Sequence, residues 1–202
     1  MVQAPPKLKK LSLNLPESVL LQVTHEQFEA LAAANRELRL ERSATGELIV
    51  NPPTGWETGA RNFSITGQLF RWYESHEEMG EAFDSSTGFT LPNGATSSPD
   101  ASWVSQERWD ALRPEQKKTF PNICPDFVVA LRSDSDTLKS LRDKMREYME
   151  NGSSLGWLID PKNRKVEIYR PDRDVETLTE PTELSGESVV PGFVLTLRRI
   201  WT

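Results

Sequence analysis

The chain has 202 residues, 37% of them hydrophobic and 8% aromatic, with a mean hydropathy of -0.54. That length suits one domain, and eight Phe, six Trp and three Tyr supply enough bulky core material to exclude disorder throughout. Thirty Asp and Glu against 24 Lys and Arg give a net charge of -6, which excludes the overall basic excess of nonspecific phosphate-backbone binders but leaves room for a local basic cleft.

One cysteine, Cys124, excludes an internal disulfide framework and a cysteine-based metal cluster, and suits a reducing cytoplasm. Two histidines, His25 and His76, are too few for a histidine-rich zinc site. No stretch approaches the roughly 18 apolar residues that span a bilayer, so no membrane association is expected. Met1 to Pro16 mixes Pro5, Pro6, Lys7, Lys9 and Lys10 with scattered Leu. It reads as an extended arm over 1–20, followed by a single domain over 21–202.

Thr24 and Gln27 have the form of a capping box, and Phe28, Leu31 and Ala32 follow at helical spacing, which predicts a helix near 25–34. Alternation at Leu38 and Leu40, a turn at Thr45-Gly46 and the run Leu48-Ile49-Val50 predict a hairpin near 37–50. Ala60, Phe63, Phe70 and Tyr73, with Ile65, Leu69 and Trp72 beside them, predict a long helix over 58–77. Strand-like pieces near 82–91 and 100–104 flank a loop rich in turn formers, and a polar, helical link is expected around 106–118.

Phe127 to Leu131 is a nearly unbroken apolar run, as in a central strand covered on both faces. Positions 138, 141, 145, 148 and 149 then form one stripe of a helix over 137–151, stopped by Asn151-Gly152. Trp157 to Ile159 and Val166 to Tyr169 read as a hairpin about Asp160-Pro161-Lys162-Asn163, and the tail as broken strands ending on Ile200 and Trp201. This order predicts an α/β or α+β domain with helices flanking a sheet.

The chain has no GxGxxG, GxxxxGK, nucleophile-elbow or HExxH motif. What repeats is Pro-Asp at a strand start, as Ser98-Pro99-Asp100 and as Cys124-Pro125-Asp126. Either pair alone is ordinary strand-entry chemistry. Basic residues cluster at Lys117-Lys118, at Lys139, Arg142 and Arg146, at Lys162, Arg164 and Lys165, and at Arg198-Arg199, a pattern that solvated surface also produces. Trp56, Trp72, Trp103 and Trp109 are expected in the core or an interface rather than as base-stacking platforms.

Taken together, Leu31 to Gly55, Ser98-Pro99-Asp100, Pro125 to Ser133, the helix from Leu138 into Gly156-Trp157-Leu158-Ile159-Asp160-Pro161, and Pro191-Gly192-Phe193 resemble the Uma-two family, once called domain of unknown function 820. The resemblance covers about residue 20 to the end. It implies a restriction-endonuclease-like mixed central sheet flanked by helices, with an N-terminal helix and β-hairpin, and a PD-(D/E)XK site acting on DNA. Such sites hold Mg²⁺, or Mn²⁺, on acidic side chains at adjacent strand ends, and a lysine orients the attacking water or stabilises phosphate charge.

Asp100 matches the metal-binding Asp of that signature. Lys144 matches a lysine moved onto the following helix, where it lies about 40° outside the stripe of Leu141, Met145 and Tyr148. Position 130 departs from the family, with Ala130 where a Glu is usual. Asp126 shares the strand face, but four residues at about 3.3 Å each put it roughly 13 Å away. Glu57 and Asp84 are candidate replacement acids by location alone. Arg132, Lys139 and Arg142, if they converge beside Lys144, form a nucleic-acid-facing rim.

The resemblance thus implies a Mg²⁺-dependent endonuclease, inactive if the carboxylate at 130 is indispensable. The alternative is a non-catalytic member of the fold that binds nucleic acid or protein as a regulator or scaffold. By analogy with nucleases that cut both strands of a duplex, a homodimer is expected.

Overall fold

The computed structural model describes residues 20–202, so the arm expected over 1–20 lies, apart from Leu20, outside the described residues. Helix α1 (His25–Ala34) begins at the expected capping box, with Thr24 accepting from the Gln27 amide and the Gln27 side chain accepting from the Thr24 amide. Strands β1 (Arg39–Arg42) and β2 (Leu48–Asn51) form the predicted hairpin. Helix α2 (Trp56–Tyr73) starts two residues earlier and ends four earlier than periodicity indicates. The piece expected over 82–91 divides into β3 (Gly80–Asp84) and β4 (Phe89–Thr90), and the turn-rich loop contains a further short strand, β5 (Thr96–Ser97).

The rest follows the predicted order. Strand β6 (Ala101–Ser105) leads into the short helix α3 (Gln106–Asp110), β7 (Phe127–Leu131), α4 (Leu138–Glu150), β8 (Leu155–Asp160) and β9 (Lys165–Tyr169). The tail supplies β10 (Glu176–Thr179), β11 (Glu183–Ser185) and β12 (Val194–Thr196).

Six strands form the central sheet in the order β10-β9-β8-β7-β6-β3, mixed because β7 and β8 run parallel while the other neighbours are antiparallel. The parallel pair requires a crossover, and α4 provides it. A smaller sheet, β2-β1-β5-β4, joins the N-terminal hairpin to the loop before Asp100, and β11 pairs with β12.

Alternation along β7 divides the core. Phe127, Val129 and Leu131 pack in one apolar layer with Ile65, Leu69 and Trp72 of α2, Trp157 and the tail residues Phe193, Leu195 and Leu197. Val128 and Ala130 face the other layer, with Met145 and Tyr148 of α4 and Leu158. Gly156 on β8 lets α4 come close, because a Cβ there would meet the Met145 methyl and lie 3.3 Å from Val128 Cγ2.

The long helix departs from expectation in the face it buries. Ile65, Leu69 and Trp72 enter the core, whereas Phe63 and Phe70 point outward. Trp72 and Trp103 are core residues, as expected, and Trp109 packs at the edge of the second layer; Trp56 is exposed.

Candidate active site

A cavity of ≈ 310 Å³ opens beside the Ser98-Pro99-Asp100 segment, and Arg39, Glu41, Asn62, Asp100, Leu131 and Lys144 contribute to its wall. Five elements meet there, because β1, α2, β6, β7 and α4 each deliver or adjoin one of these residues.

Asp100 enters immediately before β6. Its amide donates to the Val129 carbonyl at 2.8 Å, and its Oδ2 accepts the Leu131 amide at 2.8 Å, so the carboxylate is fixed against the C-terminal end of β7. Oδ1 accepts from Asn62 Nδ2 at 3.2 Å, with the Arg39 guanidinium 3.8 Å away. Burial raises the carboxyl above its ordinary pKa, and the Leu131 N–H, Arg39, Lys144 and Asn62 only partly oppose this.

Glu41 comes from β1, where its Oε1 accepts both the Ser98 amide at 2.7 Å and Lys144 Nζ at 2.9 Å. Burial acts to raise its carboxyl, but the Lys144 ammonium, the Ser98 N–H and Arg39 outweigh it, so the pKa is lowered. Lys144 also donates to the Ser98 carbonyl at 3.2 Å, and Tyr148 one turn on donates to Ser97 Oγ at 3.0 Å. Helix α4 therefore grips the segment that carries Asp100. Two carboxylates with oppositely displaced pKa values stand around one lysine, an arrangement more typical of functional sites than of surface pairs.

Two buried polar atoms in the cavity wall lack partners among the described residues: Asn62 Oδ1 and Arg39 Nε. The first is a hard oxygen beside Asp100, and the second a cationic donor whose Nη2 already holds the Ser98 carbonyl at 2.8 Å. Buried polar atoms of this kind call for a ligand or solvent partner.

The cavity brings Asp100 and Lys144 together but not the other acids named from sequence. Asp126 sits at the opposite end of β7, accepting the Ser105 amide at 2.8 Å and the Arg108 guanidinium at 2.6 Å, where it anchors α3. Glu57 is 81% exposed and faces Arg61 along α2. Asp84 is tied to Ser86 beyond β3 and lines a different surface hollow. Neither replacement acid reaches the cavity, because helix and strand direct both side chains elsewhere.

Each member of the expected basic rim is paired within the protein. Arg132 meets Asp160 at 3.0 Å, Lys139 meets Asp143 at 2.8 Å, and Arg142 lies against Glu167 of β9. Ala130 is buried in the layer beneath α4 and offers no side-chain oxygen. Glu41, Arg39 and Asn62 are the site residues that sequence reasoning missed.

The family model Uma2, described as "Putative restriction endonuclease", matches residues 25–198. The chain belongs to the Uma2 family. This Uma2 protein is also similar to the crystal structure of a protein from Anabaena variabilis described as a "putative nuclease belonging to DUF820". The two share 21% sequence identity over 82% of this chain and 90% of that one, with a TM-score of 0.68, which establishes a common fold. No curated protein matches the chain in sequence. Family and fold together make this Uma2 chain nuclease-like.

Proposed function

We propose that the chain is a metal-dependent DNA phosphodiesterase in which Glu41 takes over the role of the carboxylate absent at position 130. One observation carries this reading: Lys144, Glu41 and Asp100 converge on a single cavity, linked through the Ser98-Pro99-Asp100 segment. Ala130 faces the α4 side of β7, and Glu41 of β1 meets Lys144 of α4, so an acid is supplied on the face the substitution vacated.

No group of three or more acidic, histidine or cysteine side chains gathers to hold a metal among the described residues, so a hard divalent cation would rest on two carboxylates and an amide oxygen. Mg²⁺ is commonly held by one or two carboxylates, with water and substrate phosphate completing its shell. Asp100, Glu41 through its second oxygen, and the orphaned Asn62 Oδ1 are the oxygens that would hold it. Mg²⁺ or Mn²⁺ there would lower the pKa of a water and offset charge on the phosphate. Lys144 orients that water or stabilises phosphate charge, and Glu41 keeps its ammonium aimed at the cavity. Arg39, whose side chain is 34% exposed beside Asp100, binds a phosphate oxygen and positions the backbone against Asp100.

No helix among the described residues is long and apolar enough to cross a membrane. The buried Cys124 thiol is pushed up to about 12, chiefly by burial, and is unreactive; a lone free cysteine is compatible with a cytoplasmic setting.

A second reading, a non-catalytic DNA- or protein-binding member, draws on Ala130 and on the mutual neutralisation of Glu41 and Lys144. Incubation of plasmid and linear duplex DNA with the protein in Mg²⁺ and in Mn²⁺ separates the two. Cleavage that disappears in Asp100→Asn and Lys144→Met supports the enzyme; intact DNA under both metals, with salt-dependent retention of duplex, supports the second reading.

A further inference from the structure

Helix α2 carries a second apolar face that the described residues do not cover. Trp56, Phe63 and Phe70 are 96%, 79% and 53% exposed, while Ile65, Leu69 and Trp72 on the opposite side enter the core. The outer three recur every seven residues, with exposed Ala60 and Gly67 between them, giving the 56-60-63-67-70 spacing of a coiled-coil seam. A Cβ built at Gly67 meets nothing within 4 Å, so the middle of the seam is open to close approach. Large aromatic side chains rarely line up in water on a monomeric domain without a partner.

We propose that this stripe is a self-association surface on which two copies of the chain pair α2 against α2 in antiparallel orientation about a two-fold axis near Phe63. This inference does not depend on the catalytic reading. Three observations select a second copy and this orientation. Residue 63 is midway between 56 and 70, so antiparallel pairing sets Phe63 against Phe63, Trp56 against Phe70 of the second copy, and Ala60 against its Gly67.

Charge complementarity gives the same answer. Glu57 flanks the stripe at its first turn and Arg71 at its last. Antiparallel pairing brings Glu57 of each copy to Arg71 of the other, whereas parallel pairing opposes like charges at both ends. The aromatics alone supply most of the area that a specific interface needs. The three aromatics present roughly 450 Å² per copy, so their mutual burial removes about 900 Å² before any flanking contact is added, close to the lower range of specific interfaces.

Light scattering and sedimentation of the full chain test this directly. The wild type should be a dimer at micromolar concentration, and Phe63→Lys should weaken it about 30-fold or more while far-UV circular dichroism stays unchanged. Phe63→Cys should form a disulfide-linked dimer on mild oxidation, because the sole native cysteine is buried. Arg71→Glu should weaken the dimer, and Glu57→Arg combined with Arg71→Glu should restore it. A monomeric wild type, including one whose residues 1–19 occupy the stripe, overturns the proposal, as does a dimer indifferent to Phe63→Lys. Failure of the charge exchange overturns the antiparallel orientation.

Discussion

Lys144 Nζ and Glu41 Oε1 meet at 2.9 Å, joining α4 of the central domain to β1 of the N-terminal hairpin across 103 residues of sequence. Both side chains are largely removed from solvent, and both also bond the Ser98 peptide, so the pair fixes Asp100 as well as itself.

Breaking the pair from one side should therefore cost more than removing it. Lys144→Met leaves the Glu41 charge buried and should destabilise by about 2–4 kcal/mol. Glu41→Gln combined with Lys144→Met should recover much of that loss. Urea unfolding of the two single variants and the double variant measures the coupling.

Ala130→Glu returns a carboxylate to the layer beneath α4, close to Val128, Tyr148 and Leu158. Without metal it should lower the melting temperature, since a buried carboxylate lacks compensation there. With Mn²⁺ the melting temperature should rise more than that of the wild type under the same addition, as expected when a third acid joins the site. A thermal-shift titration reads both effects.

Position 156 tests how tightly α4 must sit. An added methyl in Gly156→Ala meets the Met145 side chain and Val128, so the helix or its side chains must move. The variant should lose about 1–3 kcal/mol of stability. Because α4 carries Lys144, its cleavage rate should fall more than its DNA affinity.

The Glu167 cluster governs part of the acid limb of stability. Burial acts to raise its carboxyl, but hydrogen bonds from Arg142 and Tyr169 outweigh it, leaving the folded pKa below the ordinary 4.5. A lowered folded pKa means stability that is present above the unfolded value and lost as pH falls through the folded one. Glu167→Gln should flatten the change in stability below pH 4.5, by less than about 1 kcal/mol because Arg142 is half exposed. Chemical unfolding as a function of pH measures it.

Some of this was legible in the sequence because the signal was local. The stripe through Leu141, Met145 and Tyr148 and the Asn151-Gly152 stop define α4, and five apolar residues define β7. Lys144 could be placed beside the stripe because helical geometry alone sets its angle. Glu41 carried no such signal. In Arg39-Leu40-Glu41-Arg42 the charged residues read as a solvent face, yet Leu40 and Glu41 are both buried, because docking of α4 and Ser98 covers the polar side too. The same limit applies to α2, whose periodicity marks apolar positions without saying which of two stripes meets the core. Repeated Pro-Asp was ambiguous for a similar reason, since Asp100 and Asp126 both precede a strand and are separated only because β6 and β7 run antiparallel, which puts their starts at opposite ends of the sheet.

Calorimetric titration of Mn²⁺ into wild-type protein, Asp100→Asn and Glu41→Gln tests the central claim most directly. One saturable site per chain in the wild type, lost in Asp100→Asn and markedly weakened in Glu41→Gln, is the expected result. An absence of binding at millimolar metal, or an affinity unaffected by Glu41→Gln, would contradict the assignment of Glu41 as the second carboxylate of the site.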